Sequence, residues 1–172
     1  MIQDVNNSAV LHSSVGRAMH RREAIGLALL VALGLTWSDA GLQLADAGSS
    51  GHKVVRVAKR YKGAKYKWGG ASPKGFDCSG FTWYVYKKAT GMDITRGVEE
   101  QWQHGRSVHH HKWRPGDLVF FENTFERGLS HVGIYFKGYD FIHAENEQTG
   151  VVISSLDSDY YREHYAGARR LL

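Results

Sequence analysis

An α+β domain, with helices ahead of an antiparallel sheet, is predicted by three observations on the 172-residue sequence. Val54, Val57, Ala58 and Tyr61 are spaced i, i+3, i+4 and i+7, the pattern of one buried helix face. Asp77 stands before a second such run, through Cys78, Phe81, Tyr84, Val85 and Lys88, and Gly91 falls where a left-handed C-cap belongs. Strand-like runs then follow the Pro115-Gly116 turn. Helices first and strands afterwards argue for segregated rather than alternating elements.

Before the domain, Arg17, Arg21 and Arg22 precede an unbroken apolar run over residues 25–35, and Ala45-Asp46-Ala47 offers the small-residue pattern of a signal-peptidase site. The run is well short of the ~20 residues that cross a bilayer, so a secretory signal is expected rather than an integral span. Residues 1–47 are accordingly expected to be an N-terminal extension with a signal peptide, and residues 48–172 the folded domain. No Cys follows the apolar run to take a lipid anchor, so the expected location is periplasmic or secreted. Within the domain the first helix stops near Gly63. Strands are expected at 118–121, 132–136, 141–145 and 151–154, the middle two joined by a turn containing Gly138, and the stretch 166–172 is expected to close the sheet.

Composition bounds the chemistry. Apolar residues at 42% and aromatics at 12% suffice for a packed core and exclude a disordered chain. The single Cys excludes an internal disulfide framework and any site needing several thiolates. The formal charge is +5, and eight basic residues fall between Lys53 and Lys74 with no acidic residue until Asp77. That run is either a solvated helix face or a patch for anionic wall or membrane polymers.

Cys78 opens a predicted helix, where unpaired amides and the macrodipole favour an anion and so lower a thiol pKa. A thiolate nucleophile needs a base, and His131, at the start of a predicted strand, is the best placed of ten histidines. The alternative is a lone structural thiol in the core. Motif context decides between them. Tyr66-Lys67-Trp68-Gly69-Gly70, Phe76-Asp77-Cys78-Ser79-Gly80-Phe81, Pro115-Gly116-Asp117-Leu118-Val119-Phe120-Phe121, His131-Val132-Gly133-Ile134-Tyr135 and Phe141-Ile142-His143-Ala144 resemble, in order, the motifs of NlpC-type cell-wall cysteine peptidases. The likeness covers about residues 53–172, including Gln101, Gly105 and the Ala168-Arg169-Arg170 tail.

The resemblance implies a papain-like fold that cleaves peptide bonds in peptidoglycan stems or crosslinks, without metal or organic cofactor. It implies peptidoglycan peptides, not nucleic acid, as partner, and a monomer. Residue by residue it implies Cys78 as nucleophile, His131 as base and then acid, and His143 as the group that orients His131. Tyr66 would point its hydroxyl toward the nucleophile, beside the Cys78 amide as a second oxyanion donor, or else pack as a core aromatic. A hairpin with two turn residues pairs Ile134 with His143 and puts His131 on the opposite face, so the His131–His143 contact requires a bulge or another turn length. Glu145 and Asn146 therefore stand as rival orienters.

Asp77 and Ser79 are read either as helix-capping groups or as a site for a substrate ammonium. Asp117, after Pro-Gly, is expected to tie its turn. Three consecutive histidines, 109–111, cannot all face one ion on a regular element, and a loop is the better reading. Trp68, Trp83, Trp102 and Trp113 are candidates for stacking on sugars, with most of them expected in the core. The segment 94–98 departs from the family pattern: no proline precedes Arg96, and Gly97-Val98 replaces the customary hydroxyl residues. A cysteine amidase or acyltransferase on the same scaffold, or a non-catalytic wall-binding or effector protein, would share these motifs in whole or part.

Overall fold

The computed structural model describes residues 50–172; the expected signal run, the cleavage pattern and the boundary at residue 47 lie outside them. Helix α1 (residues 50–59) buries Val54, Val55, Val57 and Ala58 and turns Lys53, Arg56 and Lys59 outward. Lys59 lays its ammonium 3.7 Å from the ring centroid of Phe136, a cation–π contact that keeps the charge at the surface. Two very short strands, β1 (Ala71–Ser72) and β2 (Gly75–Phe76), pair as a hairpin.

Helix α2 (Cys78–Thr90) starts and stops where the capping chemistry predicts. Asp77 accepts the Gly80 amide at 2.6 Å, satisfying one of the unpaired donors of the first turn. Gly91 ends the helix at φ 79°, its N–H bonded to the Lys87 carbonyl. Helix α3 (Val98–Trp102) begins at Gly97 without a side-chain cap, a direct consequence of the missing hydroxyl residue there.

The six-stranded sheet comprises β3 (Arg106–Val108), β4 (Leu118–Glu122), β5 (Leu129–Lys137), β6 (Asp140–Ala144), β7 (Val151–Ser155) and β8 (Tyr165–Arg170), in the order β3-β8-β4-β5-β6-β7. Helix α4 (Asp159–Glu163) separates the last two strands in sequence. The paired strands are all antiparallel, as the α+β reading requires. Side-chain alternation splits the core in two. Leu118, Phe120, Val132, Ile134, Ile142 and Ala144 join the helices in one cluster, while Val119, Phe121, Tyr135, Phe141 and Tyr161 form the other.

The C-terminal stretch expected to close the sheet joins it as β8, inserted between β3 and β4. The reason is electrostatic as well as apolar: Arg170 reaches Asp117 through two bonds, Nε to Oδ1 at 2.7 Å and Nη2 to Oδ2 at 2.6 Å, with both side chains buried. Asp117 also accepts the Arg114 amide at 2.7 Å. It therefore ties its turn, as predicted, and clamps β8 in addition; removing one partner of such a buried pair costs about 3 to 5 kcal/mol. Three of the four candidate tryptophans pack against the core, as expected of most of them, but none is fully buried. Trp83, Trp102 and Trp113 are half-buried, and Trp68 is 68% exposed.

Candidate active site

The β5–β6 hairpin brings the two histidines together through one extra residue. Lys137 pairs with Asp140 across a two-residue turn, but the register then shifts, so that Tyr135 faces Phe141 and Ile134 faces Ile142. Phe136 is the bulged residue. Without it Ile134 would oppose His143; with it, His143 moves to the face that carries His131. The His131 Nε2 and His143 Nδ1 atoms lie 2.7 Å apart, with the rings nearly perpendicular. Gly133 makes the approach feasible: a Cβ there would sit 2.6 Å from the Phe141 ring and 3.1 Å from the His143 Cβ.

Cys78 is buried at the start of α2. The amides of Val132, Ser79 and Cys78 itself bond toward its sulfur and favour the thiolate, as the helix-start argument expects. Burial wins, however, and with the charge of Asp77 it pushes the thiol up to about 12 rather than down. The Val132 contact places the thiol one residue from His131. Since His131 Nε2 is engaged by His143, the nitrogen outside that contact is Nδ1. Burial pushes His131 down to about 4, and burial followed by the neighbouring His131 holds His143 well below the ordinary histidine range. Thiol and imidazole therefore each rest neutral.

Those two buried neutral rings make stability depend on acid. The unfolded chain takes up protons near pH 6.5, whereas folded His131 refuses its proton down to about 4. Stability is therefore complete above about 6.5 and is lost as pH falls toward 4, by roughly 3 kcal/mol for His131 alone. Thermal melts across this window should show a falling Tm, and the His131→Gln/His143→Gln double variant should flatten the slope; an equal slope in both would place the acid sensitivity elsewhere.

Tyr66 is half-buried and lines a lobe of about 310 Å³ with Trp68, Phe125, Glu145, Asn146, Glu147 and Gln148. Burial, then the nearby Cys78 and Asp77, push its phenol up to about 12, so it remains a hydrogen-bond donor. A second lobe of about 430 Å³ shares Phe125, Glu145 and Asn146 and is lined by Thr124, His131, Tyr160 and Tyr161. Trp68 and Phe125 meet edge to face at 5.7 Å, both exposed. Cys78 lines neither lobe.

Asp77 and Ser79 sit at the helix start in the capping arrangement, Ser79 Oγ bonding Asp77 Oδ1 at 3.4 Å. Asn146 uses its side-chain oxygen to hold its own loop, accepting from Gln148 and Thr149. Histidines 109–111 form an exposed turn, His110 meeting Trp113 and Tyr165 edge to face. Among the described residues, none group as a metal site.

Three features escaped the sequence reading. Gln101 is fully buried and bonds the Ser79 and Thr95 carbonyls and the Thr82 hydroxyl, bracing the first turn of α2. Ser154 lies 2.9 Å from His143 Nε2. Tyr161 donates to Glu145 Oε1 at 3.0 Å. The Ser154 and Tyr161 contacts join β7 and α4 to the histidine pair, a convergence that no local spacing encodes.

The chain is 41% identical over 127 residues to a gamma-DL-glutamyl hydrolase of Bacillus subtilis (73% of this chain, 30% of that one). It is 40% identical over 112 residues to the murein DD-endopeptidase/LD-carboxypeptidase MepS of Escherichia coli (65% and 58%). Among solved structures, the NlpC/p60 domain of the peptidoglycan hydrolase SagA superposes with a TM-score of 0.62 at 35% identity, covering 69% of this chain and 97% of that one. The chain thus spans under two thirds of the length of either curated relative. Residues 63–170 match the NlpC/P60 family model, and the chain belongs to that family.

Proposed function

We propose that this chain is a cysteine endopeptidase that hydrolyses peptide bonds of peptidoglycan through an acyl-enzyme, acting outside the cytoplasm in the periplasm or as a secreted enzyme. The observation that carries the reading is a helix-start thiol beside the His131–Val132 peptide, with the His131 ring bonded to His143 at 2.7 Å and lining a groove lobe of about 430 Å³. The names of the relatives, MepS and a peptidoglycan hydrolase, supply the substrate class.

In this mechanism the Cys78 proton passes to His131 Nδ1 as sulfur attacks the substrate carbonyl. The Cys78 amide and the Tyr66 hydroxyl receive the developing oxyanion. The imidazolium then protonates the leaving amine, and water, deprotonated by the same nitrogen, releases the acid and restores the thiol. His143 holds the ring angle and tautomer. The resting pair is neutral, so the ion pair forms only as the oxyanion does. The exposed Trp68 and Phe125 offer faces to the substrate beside Tyr66.

Mass analysis of muropeptides after digestion of purified peptidoglycan by the full chain tests the reading. Cleaved stems or opened crosslinks are the expected products, and their masses identify the bond. Products ligated to an added amine would instead mark an acyltransferase. An unchanged muropeptide profile would overturn the peptidase assignment.

A further inference from the structure

The His131–His143 contact holds one proton between two nitrogens, and two arrangements satisfy it. In one, His131 Nε2–H donates to His143 Nδ1 and leaves His131 Nδ1 bare. In the other, His143 Nδ1–H donates and the His131 proton sits on Nδ1, which then cannot act as a base. The pair alone does not choose between them.

We propose that Glu145, acting through Tyr161 and Ser154, fixes the direction of every hydrogen bond in this row and so holds His131 with a bare Nδ1. The proposal rests on the assignment of His131 as the base. Its logic is an inventory of donors and acceptors. An ionised carboxylate only accepts, so Tyr161 must donate its hydroxyl proton to Glu145 Oε1, 3.0 Å away. The phenol oxygen can then only accept, and in this relay its donor is the Ser154 hydroxyl, which lies near enough to lower the phenol's pKa. The Ser154 oxygen is left to accept from His143 Nε2, 2.9 Å away. A proton on His143 Nε2 leaves Nδ1 as an acceptor, and the His131 Nε2–H fills it. Each step has one solution once the first is set.

Two further observations point the same way. Glu145 Oε1 lies 4.0 Å from His143 Nε2, where its charge favours a hydrogen on that nitrogen. The Tyr161 and His143 rings pack edge to face at 5.5 Å, and Tyr161 also packs on Phe141 and Phe121, so the phenol is held in place. Burial and the Glu145 carboxylate push the Tyr161 phenol up, which keeps it a donor. Glu145 itself is 27% exposed and lines both lobes of the groove, with its other oxygen accepting from Thr149 Oγ1 at 2.7 Å. Ser154, Tyr161 and Glu145 are thus positioning residues, none of them placed to touch the reacting sulfur.

The test reads the tautomer directly. In the full chain labelled with ¹⁵N-histidine, long-range ¹H–¹⁵N spectra distinguish a protonated from a bare ring nitrogen. The wild type should show His143 protonated at Nε2 and bare at Nδ1. Tyr161→Phe keeps the ring and removes the donor, freeing Ser154 to donate toward His143; Glu145→Gln offers an amide that can donate as well as accept. Both should give mixed tautomers and lower kcat by about ten- to a hundredfold, the range for groups that orient an active ligand, with KM within about twofold. Ser154→Ala should behave likewise, and Ser154→Thr should restore both readouts.

Wild-type tautomers and wild-type kcat in Tyr161→Phe and Glu145→Gln would overturn the proposal. Glu145 sits on the groove rim, so its variant keeps the test informative should Tyr161→Phe fold poorly. The two assignments fail separately. An inactive Cys78→Ala beside unaffected relay variants would sink the relay alone, whereas an active Cys78→Ala would sink the peptidase mechanism and leave the tautomer measurement standing.

Discussion

Cys78→Ala should abolish hydrolysis and leave the fold in place. In the proposed mechanism the thiol forms the acyl bond, and removing a nucleophile of this kind costs about 10⁶-fold in kcat. Alanine is a strong helix former, and the first turn of α2 is held by groups that do not involve sulfur: the Asp77 cap on Gly80, and Gln101 on the Ser79 carbonyl. The stability loss should stay near ~1 kcal/mol. Muropeptide mass spectra with the variant should match the undigested control, while circular dichroism and the melting curve stay close to wild type. Cleavage at the wild-type rate would make Cys78 a core thiol, the role its burial alone would suggest.

Much of the frame was legible because it is written locally. The Asp77 cap, the Gly91 stop and the apolar stripe each lie within one helix, and five of the six strands of the main sheet were foreseen to within a few residues. What failed is what distance controls. Elements of two to five residues, such as β1, β2, β3, α3 and α4, are too short to show a period. The place of β8 depends on Arg170 finding Asp117 across the chain, and nothing near residue 166 announces it.

The site divides the same way. Motif context picked out Cys78, His131, His143 and Tyr66; the structure brings the two histidine rings to 2.7 Å and puts His131 in one lobe of the groove and Tyr66 in the other, with Cys78 in neither. The contact between the two rings hinged on a single bulged residue, Phe136, which a count of turn residues cannot supply. Ser154, Tyr161 and Glu145 come from β7, α4 and the loop after β6, so their convergence exists only in the folded chain. The helix-start argument for a low thiol pKa named real donors but could not weigh them against burial, which prevails.

His131→Ala should cost nearly as much as losing the thiol, about 10⁵-fold in kcat, and should change the pH profile in a way that losing the thiol cannot. In the proposed mechanism the reacting proton starts on the neutral thiol and the base starts neutral, so kcat/KM should be flat through the neutral range, with its acid limb following His131 toward 4 and its alkaline limb following the thiol toward 12. Without the imidazole, hydroxide must ionise the thiol and water must protonate the leaving amine. The amides of Val132, Ser79 and Cys78 still favour the thiolate, so the residual rate should climb tenfold per pH unit through the neutral and mildly alkaline range. Alkylation by iodoacetamide should climb in parallel, since it needs the thiolate but no acid. A His131→Ala enzyme that keeps the flat profile at substantial rate would move the base to another residue, and the 2.7 Å contact with His143 would then be a structural bond between two buried rings.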